Sequence, residues 1–453
     1  MVTFSEVVER AMTGPACPER DYDLRIFGKK LKDVVKKYGI TYDRDTKIPY
    51  DDSLADDVFK AAIEFYSEVG SYCTSTGRIM RFTEKEIKEA IRNAPSKVTL
   101  GEGREKKDFV ARRPESEIPP WCSVGGNVIT VSTDEIFLSL TQALASIPLA
   151  DSITTNVLMT VGGKRILIDT PLEIFGSVRT VALTKEGLKR AGKPGLCIAN
   201  GIASAYSDVG TIAGSHLLGP GDTIEIASIA EMKVDFKLLN KVAHCLNTGR
   251  AIIAGYGPVY GGYCGGSEGL AVAMTAYTFQ NLLIQRANVT HPYSVHYQQV
   301  CNSGSELLWA NSLSYQAISR NVIMPLLSVC YVSAGPATEM AFYESAATAI
   351  ATVASGSSME SVGMRGTKED YSCSLEPHLA SEVGHAAAGM KRKDANEIVK
   401  RLLKEYEERI PNPPQGKRYQ ECYNVATATP HQEYHDLYEK TKKQIADYGI
   451  NLE

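Results

Sequence analysis

The sequence predicts an α/β protein built as a closed (β/α)8 barrel with helical extensions at both ends. Three observations carry that reading. First, short β-prone runs alternate with long helical ones from residue 111 onward, the order that builds a parallel sheet. Second, seven such runs lie between residues 121 and 332, and seven or eight units suit closure into a barrel. Third, 453 residues suit one barrel with additions. The competing arrangement, an open doubly wound sheet, needs a glycine-rich phosphate turn after a strand. None is present: GEGREK (101–106) lacks the third glycine, and GGYCGG (261–266) lacks the phosphate-loop lysine.

Residues 1–110 read as a helical extension, with amphipathic stretches at SLADDVFKAAIEFYSEVG (53–70) and TEKEIKEAIRNA (83–94). Thr83 and Glu86 have the spacing of a capping box, which fixes a helix start there. A polar run, 104–120, leads into the barrel, assigned to residues 111–390. Its strands are expected in WCSVGGNVITV, SITTNVLM, GLCIAN, DTIEIAS, RAIIAGYG, YSVHY and LLSVCYV, with helices between them. Residues 391–453 hold two further amphipathic helices, around 394–409 and 433–448, expected to pack on the barrel or between copies of the chain.

Composition excludes several functions. A formal net charge of -4 gives no sign of a nucleic-acid or membrane-surface partner. No uncharged apolar stretch approaches the roughly 18 residues of a membrane span, and the first residues, MVTFSEVVERAM, do not read as a secretory signal. The ten cysteines lie singly, without a C-x-x-C pair, as reduced thiols of a cytoplasmic protein do. His296 has no second histidine at metal-ligand spacing, His378 and His385 are seven apart without a flanking ligand pattern, and His431 and His435 share an exposed-looking helix start; H-E-x-x-H and G-x-S-x-G are absent, and no bound metal is expected.

In such a barrel the strand C-termini face the catalytic mouth, so the candidates are Asn156, Asn200, Glu225, Tyr256, His296 and Tyr331. Glu225 stands between isoleucines in TIEIAS, where a carboxylate is either paired inside the barrel or functional. His296, in YSVHYQ, reads either as a hydrogen-bonded structural histidine or as a site residue. Tyr256, Tyr260, Tyr263, Tyr293, Tyr297 and Tyr331 cluster at or just after strand ends. They fit ordinary packing, or an aromatic cage for an alkylammonium, worth about 0.5–2 kcal/mol per contact.

Several motifs then occur in one order: YCTSTGRIMRFTEKEI (72–87), LGEGR (100–104), GKPG (192–195), KVD with AH (233–235, 243–244), GGYCGG (261–266), AGPATEM (334–340), ASG (354–356), SEVGHAAAG (381–389) and QECYNV (420–425). Through them the chain resembles the corrinoid-dependent monomethylamine methyltransferases of methanogens along most of its length. The resemblance implies a TIM barrel, a homo-oligomer such as a hexamer, and methyl transfer from a small methylated substrate to a cobamide carried by a separate corrinoid protein. The chain has no D-x-H-x-x-G cobamide-binding signature, so the corrinoid is expected to arrive on a partner.

That family uses a genetically encoded pyrrolysine, whose position maps to Asn200, or to Ala199 given a one-residue length difference upstream. Around it Glu225, His296 and Tyr331 match the family. A second carboxylate is replaced by Gly255 and a glutamine by Val329, while Tyr293 and Tyr297 stand where the family has smaller or aliphatic residues. Loss of polar partners together with added aromatic surface points to a different substrate, favouring a quaternary ammonium, which needs no covalent activation. The roles expected are a cage of Tyr293, Tyr297 and Tyr331, with Tyr256 nearby, and charge attraction from Glu225. Asn200 would hold a polar tail, and His296 would orient the substrate or meet the corrin. Catalysis would then rest on positioning and electrostatics. The alternatives are monomethylamine, a secondary amine, a methylated thiol or an ether as donor, a silent homologue that only binds, and an unrelated barrel enzyme using Glu225 as general base.

Overall fold

The computed structural model describes residues 2–126, 129–201, 207–361 and 368–452. Its centre is eight parallel strands: β1 (Cys122–Gly125), β2 (Ser152–Thr154), β3 (Cys197–Asn200), β4 (Thr223–Ala227), β5 (Ala251–Tyr256), β6 (Val289–Pro292), β7 (Leu327–Cys330) and β8 (Ser358–Ser361). Sequence neighbours are sheet neighbours, and β8 pairs with both β1 and β7. A parallel bridge from Thr290 to Leu326 joins β6 to β7 and closes the ring. One helix follows each strand: α1 (Asp134–Ala145), α2 (Pro171–Arg190), α3 (Val209–Ser215), α4 (Phe236–Thr248), α5 (Ser267–Gln280), α6 (Ser305–Asn321), α7 (Glu339–Ala354) and α8 (Leu375–Ala386). The expected barrel is the observed one.

Two elements differ from the sequence expectation. The sixth strand is Val289–Pro292, upstream of the predicted YSVHY, and the eighth, Ser358–Ser361, lies in SMES, whose two serines and glutamate carry no β-prone pattern. In each strand a charged or titratable residue, His291 or Glu360, faces the lumen.

Alternation along the strands separates two apolar layers. Ile153, Ile198, Ile224, Ile226, Ile252 and Met359 face outward into the large core shared with the helices. Leu100, Phe109, Trp121, Cys197, Ala199, Ile253, Val289 and Leu327 form a second, smaller cluster that fills the base of the lumen. A hairpin, Lys97–Leu100 with Lys107–Val110, seals that base from the N-terminal side. Phe109 stacks on Trp121 with ring centroids 4.9 Å apart, and Trp121 Nε1 donates to Ser152 Oγ at 2.8 Å. LGEGR and GKPG meet here, where Glu102 N donates to the Gly195 carbonyl at 2.8 Å. A side chain at Gly195 would strike the Glu102 carbonyl oxygen, its Cβ falling 2.1 Å away.

The extensions pack on the outside. Thr83 and Glu86 make the reciprocal capping box of helix Glu84–Arg92. Helix Asp52–Val69 lies against α5 and α6, with Phe59 edge-on to Phe279 at 5.6 Å and Asp56 paired to Arg320 at 3.1 Å. Helices Arg392–Leu403 and Gln432–Ala446 correspond to the two expected at the C-terminus. The second docks on α7 and α8 through Tyr434 against Phe342 and a 2.6 Å hydrogen bond from Tyr438 Oη to Glu382. Among the described residues no helix is long and apolar enough to cross a membrane.

Candidate active site

Above the apolar base the lumen turns polar. Thr154 of β2, Glu225 of β4, His291 of β6 and Glu360 of β8 are all buried, and they meet across the barrel axis. His291 Nε2 lies 3.2 Å from Glu360 Oε2, off the line of a hydrogen bond, and its Nδ1 lies 3.8 Å from Glu225 Oε1. Thr154 Oγ1 donates a short hydrogen bond to Glu360 Oε1. Its own proton being used, the threonine is left to accept from Ser123 Oγ of β1 at 3.3 Å. Burial pushes the His291 imidazole down, but the contact with Glu360 and the charges of Glu360 and Glu225 outweigh it, and the net shift is upward.

Two tyrosines stand over these groups. Tyr293 follows β6 and Tyr331 follows β7, their rings at 82° with centroids 5.8 Å apart, and the edge of Tyr293 meets His291 at 5.5 Å. Both are partly exposed, which marks the open end of the lumen. The Tyr331 phenol is held well above its ordinary pKa, by burial first and then by Tyr293, Glu360 and Glu225. Asn302 fixes the end of β7: its Nδ2 donates to the Val329 carbonyl at 2.8 Å, and its Oδ1 accepts from Tyr331 N at 3.0 Å.

The glycines of β5 and its exit make room for Tyr293. A Cβ at Gly255 would sit 3.3 Å from Glu225 Oε1 and 3.7 Å from Tyr293 Cε1, so carboxylate and ring are neighbours across that point. A Cβ at Gly257 would fall 2.4 Å from Tyr293 Cε2, and something would have to move. Among the described residues no group of His, Cys, Asp or Glu is arranged to hold a metal ion.

A profile of the family described as monomethylamine methyltransferase MtmB matches residues 2–450. The chain belongs to the monomethylamine methyltransferase family. It is 30% identical over 446 residues to MtmB3 of Methanosarcina barkeri, covering 98% of this chain and 97% of that one. MtmB of Methanosarcina mazei is 29% identical over the same shares. Among solved structures, the Methanosarcina barkeri methyltransferase MtmB superposes with a TM-score of 0.94 and a hydroxylamine complex of MtmB with 0.95, each at 28% identity over 99% of this chain and 98% of the other.

Within this methyltransferase barrel the predicted site residues separate into three groups. Glu225, Gly255, Tyr293 and Tyr331 come together at the lumen. Ala199 and Val329 face it too: Ala199 belongs to the lumen cluster, and Val329 lies in register with Glu360. Asn200 and Tyr256 do not belong to the site, because their place in the strand alternation turns them outward. Asn200 is buried against α3, its Nδ2 3.5 Å from the Thr211 carbonyl. Tyr256 stacks on Tyr277 of α5 at 4.6 Å. His296 and Tyr297 stand on the rim instead. His296 is stacked between Tyr260 and Tyr297, each at 5.2 Å, with Nδ1 accepting from the backbone N–H groups of Gln298 and Gln299 at 3.2 Å. Burial lowers its pKa. Tyr297 is 57% exposed, so it builds no cage wall with Tyr293 and Tyr331.

Sequence reasoning missed His291, Glu360, Thr154 and Ser123. A signal existed for His291: Val289, His291 and Tyr293 share one face if the strand begins at 289.

Proposed function

We propose that this chain transfers a methyl group from a quaternary ammonium compound to the cobalt(I) corrinoid of a separate protein, without pyrrolysine. The observation that carries this reading is the pair of perpendicular tyrosines over a lumen with two carboxylates. Ala199, one of the two positions the family resemblance assigns to the special residue, offers only a methyl group there. A quaternary nitrogen presents a diffuse positive charge without N–H donors. It suits ring faces and an anion better than a cluster of hydrogen-bond acceptors.

The residues would divide the work simply. Tyr293 and Tyr331 hold the ammonium group, Glu225 draws its charge inward, and Val329 and Gly255 leave room for the alkyl groups. The acceptor corrinoid supplies the nucleophile. As the methyl carbon leaves nitrogen, the bonding pair stays on nitrogen and a neutral tertiary amine departs. No proton has to move.

The test mixes the protein with a reduced corrinoid protein and a panel of methylated amines, thiols and ethers, following the absorbance change on methylation of the acceptor. Quaternary amines should react at least tenfold faster than monomethylamine. Equal rates would overturn the substrate assignment, and no reaction with any donor would overturn the function. A second expectation concerns the seat of Tyr293. Gly257→Ala should raise KM for the quaternary donor about tenfold, roughly the worth of one ring contact, with a stability change under about 1 kcal/mol. An unchanged KM would remove Tyr293 from the binding site.

A further inference from the structure

His291 is caught between two carboxylates, and both of its ring nitrogens face a carboxylate oxygen. Neither contact is a linear hydrogen bond, but two carboxylate oxygens within 4 Å of the ring, at 3.2 and 3.8 Å, favour the positively charged imidazolium over the neutral imidazole by simple electrostatics. Glu360 Oε1 accepts from the Thr154 hydroxyl, and Oε2 is the oxygen that faces the imidazole. No other cation is placed to balance the lumen among the described residues. Arg112 donates to the carbonyls of Ile118, Val353 and Ser357, Lys233 pairs with Glu19 and Asp23, and Arg392 pairs with Glu115 and Asp52. Lys241, on α4, has Asp235, Asp208 and Glu173 around it. Among the described residues, the other titratable groups facing the triad are the phenols of Tyr293 and Tyr331.

We propose that His291 is a positioning residue: a fixed cation that keeps Glu225 and Glu360 ionised together, so that Glu225 can attract a positively charged donor. Two buried carboxylates without a cation between them share a proton. The net charge stays at -1, but the proton then sits on Glu225 for part of the time, and the carboxylate beside Tyr293 no longer presents a constant negative charge to the donor. The part played in methyl transfer rests on the function proposed above; the protonation state of His291 does not.

Kinetics and neutron diffraction test it separately. His291→Gln should raise KM for a cationic donor about tenfold or more. It should also add to the pH profile an ionisation near neutrality, as Glu225 and Glu360 come to share a proton. His291→Gln/Glu360→Gln removes an anion along with the cation and should restore most of the lost affinity, which a purely structural histidine would not allow. An unchanged pH profile in the single variant, or a double variant no better than it, overturns the proposal. If the variants do not fold, neutron diffraction from the unaltered full-length chain at pH 7.5 decides. Deuterium on both nitrogens of His291 is expected, and deuterium on one alone overturns the proposal. Failure of every methyl donor, with both nitrogens deuterated, would discard the function and leave the charge assignment standing.

Discussion

Glu225→Gln should raise KM for the quaternary donor about 100-fold while kcat holds or increases. The reasoning turns on when the charge is present. In the bound donor the nitrogen carries a full positive charge beside a carboxylate in a lumen of low dielectric, where such an attraction is worth several times its value in water. A loss of about 2.7 kcal/mol corresponds to 100-fold in affinity. In the transition state the carbon–nitrogen bond is breaking and part of that charge has gone. Glu225 therefore stabilises the bound donor more than the transition state, and its removal lowers kcat/KM by less than it raises KM, about tenfold if half the charge remains. The substitution is nearly isosteric and leaves His291 paired with Glu360 at 3.2 Å, so the fold should survive. Steady-state kinetics decide between outcomes: a fall in kcat at constant KM would mean that Glu225 acts on the reacting atoms, and unchanged constants would remove it from the site.

Glu225 was legible in the sequence because its neighbours are isoleucines. Ile224 and Ile226 face the helices, so the residue between them must face the lumen, and a charge there demands a reason. The same alternation, applied strictly, separates Ala199 from Asn200 and Gly255 from Tyr256; motif position alone does not. The partner groups were hidden for a physical reason. A barrel strand that lines a polar lumen loses the apolar pattern by which strands are found, as Ser358–Ser361 does. Val289–Pro292 ends in a proline and is followed by YSVHY, a better β pattern that forms only a short rim extension with Val259–Tyr260. Displacing that strand promoted His296 into the site and left His291 unseen. The family motifs identify the family without marking the site. AGPATEM is held by structural contacts: Ala334 N donates to Glu344 Oε2 at 2.9 Å and Ala337 N to Glu376 Oε1 at 2.7 Å.

Replacing Glu344 by alanine should cost about 3–5 kcal/mol of stability, a price set by hydrogen bonds rather than by volume. Glu344 lies on α7 and is wholly buried. Its Oε1 accepts from Ser303 Oγ at 2.6 Å, Ser333 N at 2.8 Å and Ser333 Oγ at 2.7 Å, while Oε2 accepts from Ala334 N. Burial pushes the carboxyl's pKa up, and those donors draw it only part of the way back. Truncation leaves two backbone N–H groups and two hydroxyls without their acceptor in a dry interior, each carrying a desolvation cost of about 1–3 kcal/mol that relaxation and rotation of the hydroxyls partly relieve. Glu344→Gln separates the contributions. A carbonyl oxygen in the Oε1 position keeps three bonds, but its NH2 group then faces Ala334 N, donor against donor, so an intermediate loss is expected. Denaturant unfolding monitored by circular dichroism measures both variants, and a loss below about 1 kcal/mol for alanine would show that the loop holds without the carboxylate. The consequence reaches the site because Ser333 and Ala334 lie two and three residues after Tyr331. A Glu344→Ala protein that still folds should bind the quaternary donor more weakly, since the segment that leaves Tyr331 has lost one of its two anchors, the other being Asn302.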